Sequence, residues 1–421
     1  MFINQDNILT ANIDEIPIDS TWTIGNQKAS LMHNIHAYPA KFPPFITTKA
    51  LQYAENKGIR VDTIADIFCG CGTVAYEAMV NNRNFFGVDI NPIATLIAKT
   101  KCRKYNRSII IRYLKSIKGE FDIAENNLSN EFSENERIVY WFEEQQRIDL
   151  FKLLNAINSN VKTEEYKNFF YCAYSAILKS CSRWLTKSIK PQIDPNKKPK
   201  NVWMAFETHV NMMIKANEQC NINNELNIDI KTQSILDLDV PYPFVDMVIT
   251  SPPYVTSYEY ADLHQLSTLC LGYSSDYKHF RKGSIGSLYD PLSIEDNLSL
   301  INEVGASIVR QMINIDKRRA RSIAQYYIDI QNVVVKTRYL LRDGGVCFFV
   351  IGNTEYKGVK IDNARHLAQC LLSENFHDIE IKRRKISNKI LTPYRDKNGK
   401  FTSDKNCRKI YSEEFLIFAQ K

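Results

Sequence analysis

Apolar and polar positions change rhythm twice along this chain. Up to about residue 104, the segments DTIADIFCGCGTVAYEAMV and NFFGVDINPIATLIAKTKC each read as a short apolar strand, a turn and a helix, which makes a βαβ unit. From about 105 to 228 the apolar residues recur at three and four, in ERIVYWFEEQQRIDLFKLLNAI, EEYKNFFYCAYSAILKSCSRWL and NVWMAFETHVNMMIKANEQ. That period predicts long helices. A basic, proline-rich connection, KSIKPQIDPNKKPKN, separates the last two, and the acidic GEFDIAENNLSNEFSENE reads as a surface loop. From about 229 strands return: LNIDIKTQSI, VDMVIT, GGVCFFVIGN, HDIEIKRRKI and EEFLIFAQ, with helices over 322–341 and 361–373. Strands alternating with helices on both sides of an all-helical block predict one doubly wound, Rossmann-like α/β domain with a large helical insertion. The halves are 1–104 and 229–421, and the insertion is 105–228.

Composition fits a globular protein, with 44% hydrophobic and 24% charged residues among 421. No apolar run approaches the ~18 residues of a membrane span. The start, MFINQDNILTANIDEIPIDS, is polar and acidic and lacks the order of a secretion signal. The ten cysteines are therefore expected to be reduced thiols in a cytoplasm. No metal is expected. Cys69 and Cys71 are too close for a usual zinc pair, and His33 and His36 have no evident third ligand. The net charge of +7 permits a polyanionic partner. Between Lys382 and Lys409, eleven Lys and Arg face only Asp396 and Asp404, with Ile386, Ile390, Tyr394 and Phe401 interleaved. That pattern predicts a folded, phosphate-facing element.

Candidate chemistry begins at DIFCGCGT, residues 66–73. Gly70 and Gly72 stand between a strand and a helix, where glycine permits a sharp turn and close approach of a ligand to the backbone. The next strand ends at Asp89, placed to accept both hydroxyls of a ribose. A dinucleotide fingerprint would carry a third glycine where Thr73 and Val74 stand. Asp66 would repel a pyrophosphate, but it can hold the ammonium of a methionine. These details favour S-adenosylmethionine. Further on, VDMVIT runs into SPPY. Pro252 and Pro253 cannot extend a sheet ladder, so the strand stops in a rigid loop. That loop fixes the Ser251 hydroxyl and the backbone carbonyls and is expected to project the Tyr254 ring outward.

In this order the motifs resemble the amino-group DNA methyltransferases, especially those that make N4-methylcytosine. HAYPAKFPP at 36–44 resembles the segment that contacts the methionine end, which implies roles for Tyr38, Pro39, Lys41 and Phe42. DIFCGCGT resembles the cofactor loop and implies Asp66, Phe68, Cys69, Gly70, Gly72 and Thr73. GVDINP implies Asp89 and Ile90 at the ribose, and VITSPPY implies Ser251, Pro252, Pro253 and Tyr254 as the catalytic loop. YLLRDGGVCFFVIGN resembles the wall of the target-base pocket. The adenine contact falls to Gln233, Ser234 or Asp237, with Ser234 taken here. The resemblance implies a cytoplasmic, nucleoid-associated enzyme that acts on double-stranded DNA, as the modification half of a restriction-modification system with a cognate endonuclease.

In that chemistry the Ser251 hydroxyl and the Pro252 carbonyl accept the amino hydrogens of an extruded base, and Tyr254 stacks on it. No Pro-Cys occurs, which sets aside ring-carbon methylation. Adenine-N6 transfer uses the same fold, usually with Asp or Asn in place of Ser251. RNA amino-methylation and a non-catalytic DNA-binding subunit are the other readings. Tyr258, Tyr260, Asp262 and His264 either line the pocket or pack as an ordinary helix. Sequence readout falls to the insertion with its KKPK loop at 197–200, to 274–321 ending in DKRRARS, or to the basic C-terminal stretch.

Overall fold

A computed structural model describes residues 1–23, 29–126, 129–255, 260–288, 293–386, 394–395, 402, 404, 408–409 and 412–421. Seven strands carry the fold: β1 (Thr63–Asp66), β2 (Asn84–Asp89), β3 (Ile228–Thr232), β4 (Val245–Thr250), β5 (Leu341–Ile351), β6 (His377–Lys385) and β7 (Glu413–Gln420). They lie in the order β3-β2-β1-β4-β5-β7-β6, and Phe2–Ile3 pairs with β6 at the far edge. From β3 to β5 all neighbours are parallel, whereas β7 runs antiparallel between β5 and β6. The chain winds outward from β1 to β3 and then returns to β4 on the other side of β1. That reversal opens a crevice at the carboxyl ends of β1 and β4, the usual ligand position in such sheets.

Eleven helices are used below: α1 (Pro44–Asn56), α2 (Thr73–Val80), α3 (Pro92–Lys101), α4 (Arg107–Ile123), α5 (Glu144–Asn160), α6 (Glu164–Cys181), α7 (Val202–Glu218), α8 (Gln265–Cys270), α9 (Glu303–Ile313), α10 (Lys317–Leu340) and α11 (Asn363–Ser373). Strand residues alternate between two cores, as a period of two requires. Ile64, Met247, Phe348 and Val350 join the side chains of α1, α2, α3 and the helical block. Ala65, Val248, Phe349 and Ile351 join those of α9, α10 and α11. Both faces are covered, which explains why the central strands read as continuous apolar runs.

The helical block is not a detached module. Trp141, Phe170 and Phe206 belong to the same core as Ile64 and Ile249, and α6 packs on α3. Several sequence expectations shift. ERIVYWFEEQQ splits into Glu136–Trp141 and α5, because buried Phe142 takes an extended backbone. GEFDI lies inside α4, and Asn130–Glu134 is a short helix, so the acidic stretch is only partly loop. α10 begins at Lys317, capped by the Asp316 carboxylate, rather than at 322. In the basic C-terminal stretch, Arg383 and Arg384 do not face outward. They form ion pairs with Glu413 and Glu414 of β7, and Arg384 is buried. Tyr394–Arg395 pairs with Arg408–Lys409, while most residues from 387 to 411 lie outside the described set.

Candidate active site

Two loops meet at the switch point. The first leaves β1 through Ile67 and Phe68. Gly70 and Gly72 have φ of +48° and +71°, which costs a glycine little and an L side chain about 1–2 kcal/mol. Gly72 also lets α2 pass α3 closely, since a Cβ there would stand 2.6 Å from the Ala98 Cβ. Both Asp89 oxygens brace this region: Oδ2 accepts the Gly70 N–H at 2.8 Å, and Oδ1 accepts the Asn91 N–H at 2.8 Å. Burial pushes the Asp89 carboxyl up to about 6. Asp66 is buried more deeply. Its Oδ1 accepts the Phe68 N–H at 3.1 Å and the Thr250 hydroxyl at 2.6 Å. Burial, with a smaller push from Asp89, raises it to about 7.

The Thr250 bond joins the first loop to the second. The second leaves β4 at Ser251, whose hydroxyl donates to the Val350 carbonyl on β5 at 2.9 Å. A hydroxyl that donates one bond keeps acceptor capacity at its oxygen. Pro252 is buried and Pro253 half-buried. Tyr254 departs from expectation. Its ring does not project outward but lies against Gly352, where a Cβ would stand 2.9 Å from the Tyr254 Cε2. Its hydroxyl donates to Glu414 Oε1 at 3.0 Å and also engages Ser251. Burial holds the phenol well above its usual range.

The remaining sequence-predicted residues gather at the same edge. Tyr38 covers Gly70, its ring 3.6 Å from where a Cβ would stand. Lys41 Nζ donates to the His33 carbonyl at 2.5 Å, and burial lowers its pKa. Phe42 packs on the sheet core to which the buried Cys69 belongs, and Phe68 packs on the opposite core. Pro39 and Ile90 are half-buried, and Thr73 opens α2. After β3, the Gln233 N–H bonds the Asp89 carbonyl at 3.0 Å, which sets Ser234 beside Asp89. Gln233 and Ser234 both hold their own turn, through Asp237 O and Leu236 N.

Residues 4–100, from the amino end through α2 into α3, match the profile of a family described as DNA methylase. The sequence is 24% identical to Type II methyltransferase M.MvaI of Kocuria varians, over 85% of this chain and 85% of that protein. It is 33% identical to Type II methyltransferase M.MjaII of Methanocaldococcus jannaschii, over 34% of this chain and 24% of that one. Among solved structures, an S-adenosylmethionine-dependent O-methyltransferase from Thermotoga maritima aligns over 93% of this chain and 71% of its own, with a TM-score of 0.32 at 10% identity, too loose a likeness to carry weight.

These matches support an amino-methyltransferase. Its cofactor is S-adenosylmethionine. The crevice of this methyltransferase suits that molecule on two counts. The loop carries two glycines in left-handed backbone, and the acids Asp66, buried, and Asp89, half-buried, have the chemistry to take an ammonium and hydroxyl donors. Among the described residues no group of three or more His, Cys, Asp or Glu is arranged to hold a metal ion, and His33 and His36 bond Glu77 and Ser175 instead. The nine described cysteines are free and buried. No helix among the described residues is long and apolar enough to cross a membrane.

Sequence reasoning missed one support of the methyltransferase site and left the role of another open. Arg384 donates through Nε and Nη2, at 2.9 and 2.7 Å, to Glu414 Oε2, while Glu414 Oε1 holds Tyr254. Arg384 Nη1 is anchored on the Trp22 carbonyl at 3.0 Å. The facing pairs RR at 383–384 and EE at 413–414 were the available signal. The second support is His264. It stacks on Tyr38 with ring centroids 5.0 Å apart, and its Nδ1 bonds the Asn91 side-chain amide at 2.7 Å. Burial lowers its pKa to about 3, so it is a neutral spacer between the Tyr38 segment and the N-cap of α3. Asp262 pairs with Arg281, while 256–259, with Tyr258, lie outside the described residues.

Proposed function

We propose that this methyltransferase modifies the exocyclic N4 amine of cytosine in double-stranded DNA, as the modification enzyme of a restriction-modification system. The family profile's DNA methylase description and the two Type II methyltransferase relatives support DNA as the substrate. The observation that carries the reading is Ser251. Its hydroxyl bonds the Val350 carbonyl and also meets the Tyr254 hydroxyl, which holds the side chain at the start of the loop after β4 and leaves its oxygen acceptor capacity.

When bound, S-adenosylmethionine supplies an electrophilic methyl group. The chain supplies the rest. Asp66 takes the methionine ammonium, Asp89 the ribose hydroxyls and Ser234 the adenine edge, while Tyr38, Pro39, Lys41 and Phe42 close over the glycine loop. Ser251 Oγ and the Pro252 carbonyl accept the two amino hydrogens of an extruded base and hold its nitrogen near tetrahedral geometry. The nitrogen lone pair is then freed from the ring, with no covalent bond to the enzyme. Tyr254, held from behind by Glu414, offers the base one ring face. Adenine N6 is the second reading, since the same acceptors fit it.

The test is methyl transfer to unmethylated genomic DNA, followed by mass spectrometry of the digested nucleosides. N4-methylcytidine whose rate of formation falls sharply in Ser251→Ala supports the reading. N6-methyladenine replaces the base. No methylated nucleoside from a protein that binds the cofactor overturns DNA as the substrate.

A further inference from the structure

The DNA reading leaves open which face holds the duplex, and the charges of the described residues differ by region. In the helical block, Arg103 pairs with Glu165, Arg107 with Glu218 and Lys118 with Asp122. Lys104 and Lys197 point at backbone carbonyls, so the KKPK loop turns its first lysine inward. These cations are engaged within the block.

The first turns of α10 are different. α10 has 24 residues, about 36 Å of helix, and runs without a loop into β5. Its amino end therefore stands at the carboxyl edge of the sheet, the edge that carries Ser251. The hairpin Thr354–Tyr356 and Val359–Ile361 follows β5 at the same edge. Tyr356 joins the two elements: its hydroxyl donates to Asp316 Oδ2 at 3.0 Å, Arg319 lies 5.1 Å from the ring centroid, and Lys357 Nζ lies 5.6 Å from it. The hairpin base is fixed by Asn353 to Asp362 at 2.8 Å and by Asn363 to the Gly352 carbonyl at 2.9 Å. Gly352 is the residue under Tyr254.

Lys317, Arg318, Arg321 and Lys357 are exposed, and Arg319 is half-buried. None of the five forms an ion pair among the described residues, and the acids of the same two segments are Asp316 and Glu355. Asp316 feels Lys357 and Arg319, and the surplus of cations at the sheet edge that carries Ser251 suits a row of phosphates better than any neutral partner.

We propose that this ridge, Lys317, Arg318, Arg319 and Arg321 with Lys357 at the hairpin tip, grips the phosphates of duplex DNA beside the extruded base. The proposal rests on the DNA reading above. Extrusion needs the flanking backbone held while one nucleotide swings out, and phosphate contacts are what fix register.

The test measures binding of an unmethylated duplex against salt concentration for the intact protein, Arg318→Ala/Arg321→Ala and Lys357→Ala, with cofactor affinity measured by calorimetry. Each phosphate contact removed lowers the slope of log affinity against log salt by about 0.9. The double variant is expected to lose roughly tenfold or more in duplex affinity at low salt, with cofactor affinity unchanged. Arg107→Ala/Lys118→Ala in the helical block is expected to keep the parent slope. Ridge variants that bind duplex with the parent slope overturn the proposal while leaving the methylation reading intact. An intact protein that binds cofactor but no duplex overturns the DNA reading itself, and the ridge with it. Ridge variants that lose single-stranded RNA but not duplex overturn the choice of partner.

Discussion

The loops after β1 and β4 are neighbours joined by the Asp66–Thr250 bond, yet they are built by opposite means. The first is made of residues with too few constraints elsewhere: Gly70 and Gly72 in left-handed backbone, braced by a carboxylate. The second is made of residues with too many: two prolines, with the flanking hydroxyls of Ser251 and Tyr254 tied to β5 and β7. A loop that must let a large ligand approach its backbone removes side chains. A loop that must hold two acceptors still while a base arrives removes freedom. The two loops should therefore fail in different ways.

The largest effect is expected at Gly72→Ala. Positive φ and the 2.6 Å approach to Ala98 both oppose a methyl group, and the cost is roughly 2–4 kcal/mol of stability. Denaturant unfolding reads it, with cofactor binding lost alongside. A Gly72→Ala variant of parent stability would show that the glycine loop is not the rigid floor described here.

Ser251→Ala is next, and it acts on the other side of the comparison. Stability and cofactor affinity should hold, while methyl transfer falls roughly 10–100-fold through loss of one positioned acceptor. Single-turnover rates measured beside calorimetry separate the two. A variant with parent turnover would remove serine from the chemistry.

The third test is pH. Asp66 near 7 and Asp89 near 6 must be ionised to take an ammonium and hydroxyl donors. Cofactor affinity should fall as pH drops below 7, by up to about tenfold per unit for each acid that must ionise. Stability of the unliganded protein should run the other way. Both acids are raised by burial, so the folded chain keeps protons that the unfolded chain has released. That stability is full below about pH 4 and is lost as pH rises through 6 to 7. Cofactor affinity unchanged between pH 5.5 and 8 would separate these acids from binding.

The smallest effect is expected at Tyr254→Phe. The ring and its face remain and the hydroxyl's contacts with Glu414 and Ser251 are lost, so transfer should drop about threefold to tenfold, in line with an ordinary hydrogen bond. Glu414→Gln also leaves the buried Arg384 without its carboxylate and should cost more, and the two together should cost less than their sum. Additive losses would mean that Glu414 acts elsewhere.

The sheet was legible in the sequence because its signals are local. Each strand after 229 is an apolar run closed by turn residues, and each loop of the crevice is contiguous: Asp66 to Thr73, Asp89 to Asn91, Ser251 to Tyr254. What could not be read was contact between distant segments. Arg384 and Glu414 meet only because β7 inserts between β5 and β6, and a basic stretch scanned alone looks like a phosphate surface. The stack of Tyr38, His264 and Asn91 draws on three separate segments. The helical block gave its helices by period, but its share in the sheet core depends on α6 lying along α3, which no periodicity encodes.

The position of that block has a consequence for synthesis. β1 and β2 are made together, but β4, the other neighbour of β1, follows after about 180 residues, roughly 10–40 s at ordinary elongation rates. During that interval the open side of β1 has no strand to pair with. The segment made in the meantime is the helical block, whose Trp141, Phe170 and Phe206 share a core with Ile64. One face of the unfinished sheet is therefore covered before its centre is complete, and a growing chain with an exposed parallel edge carries its own shield.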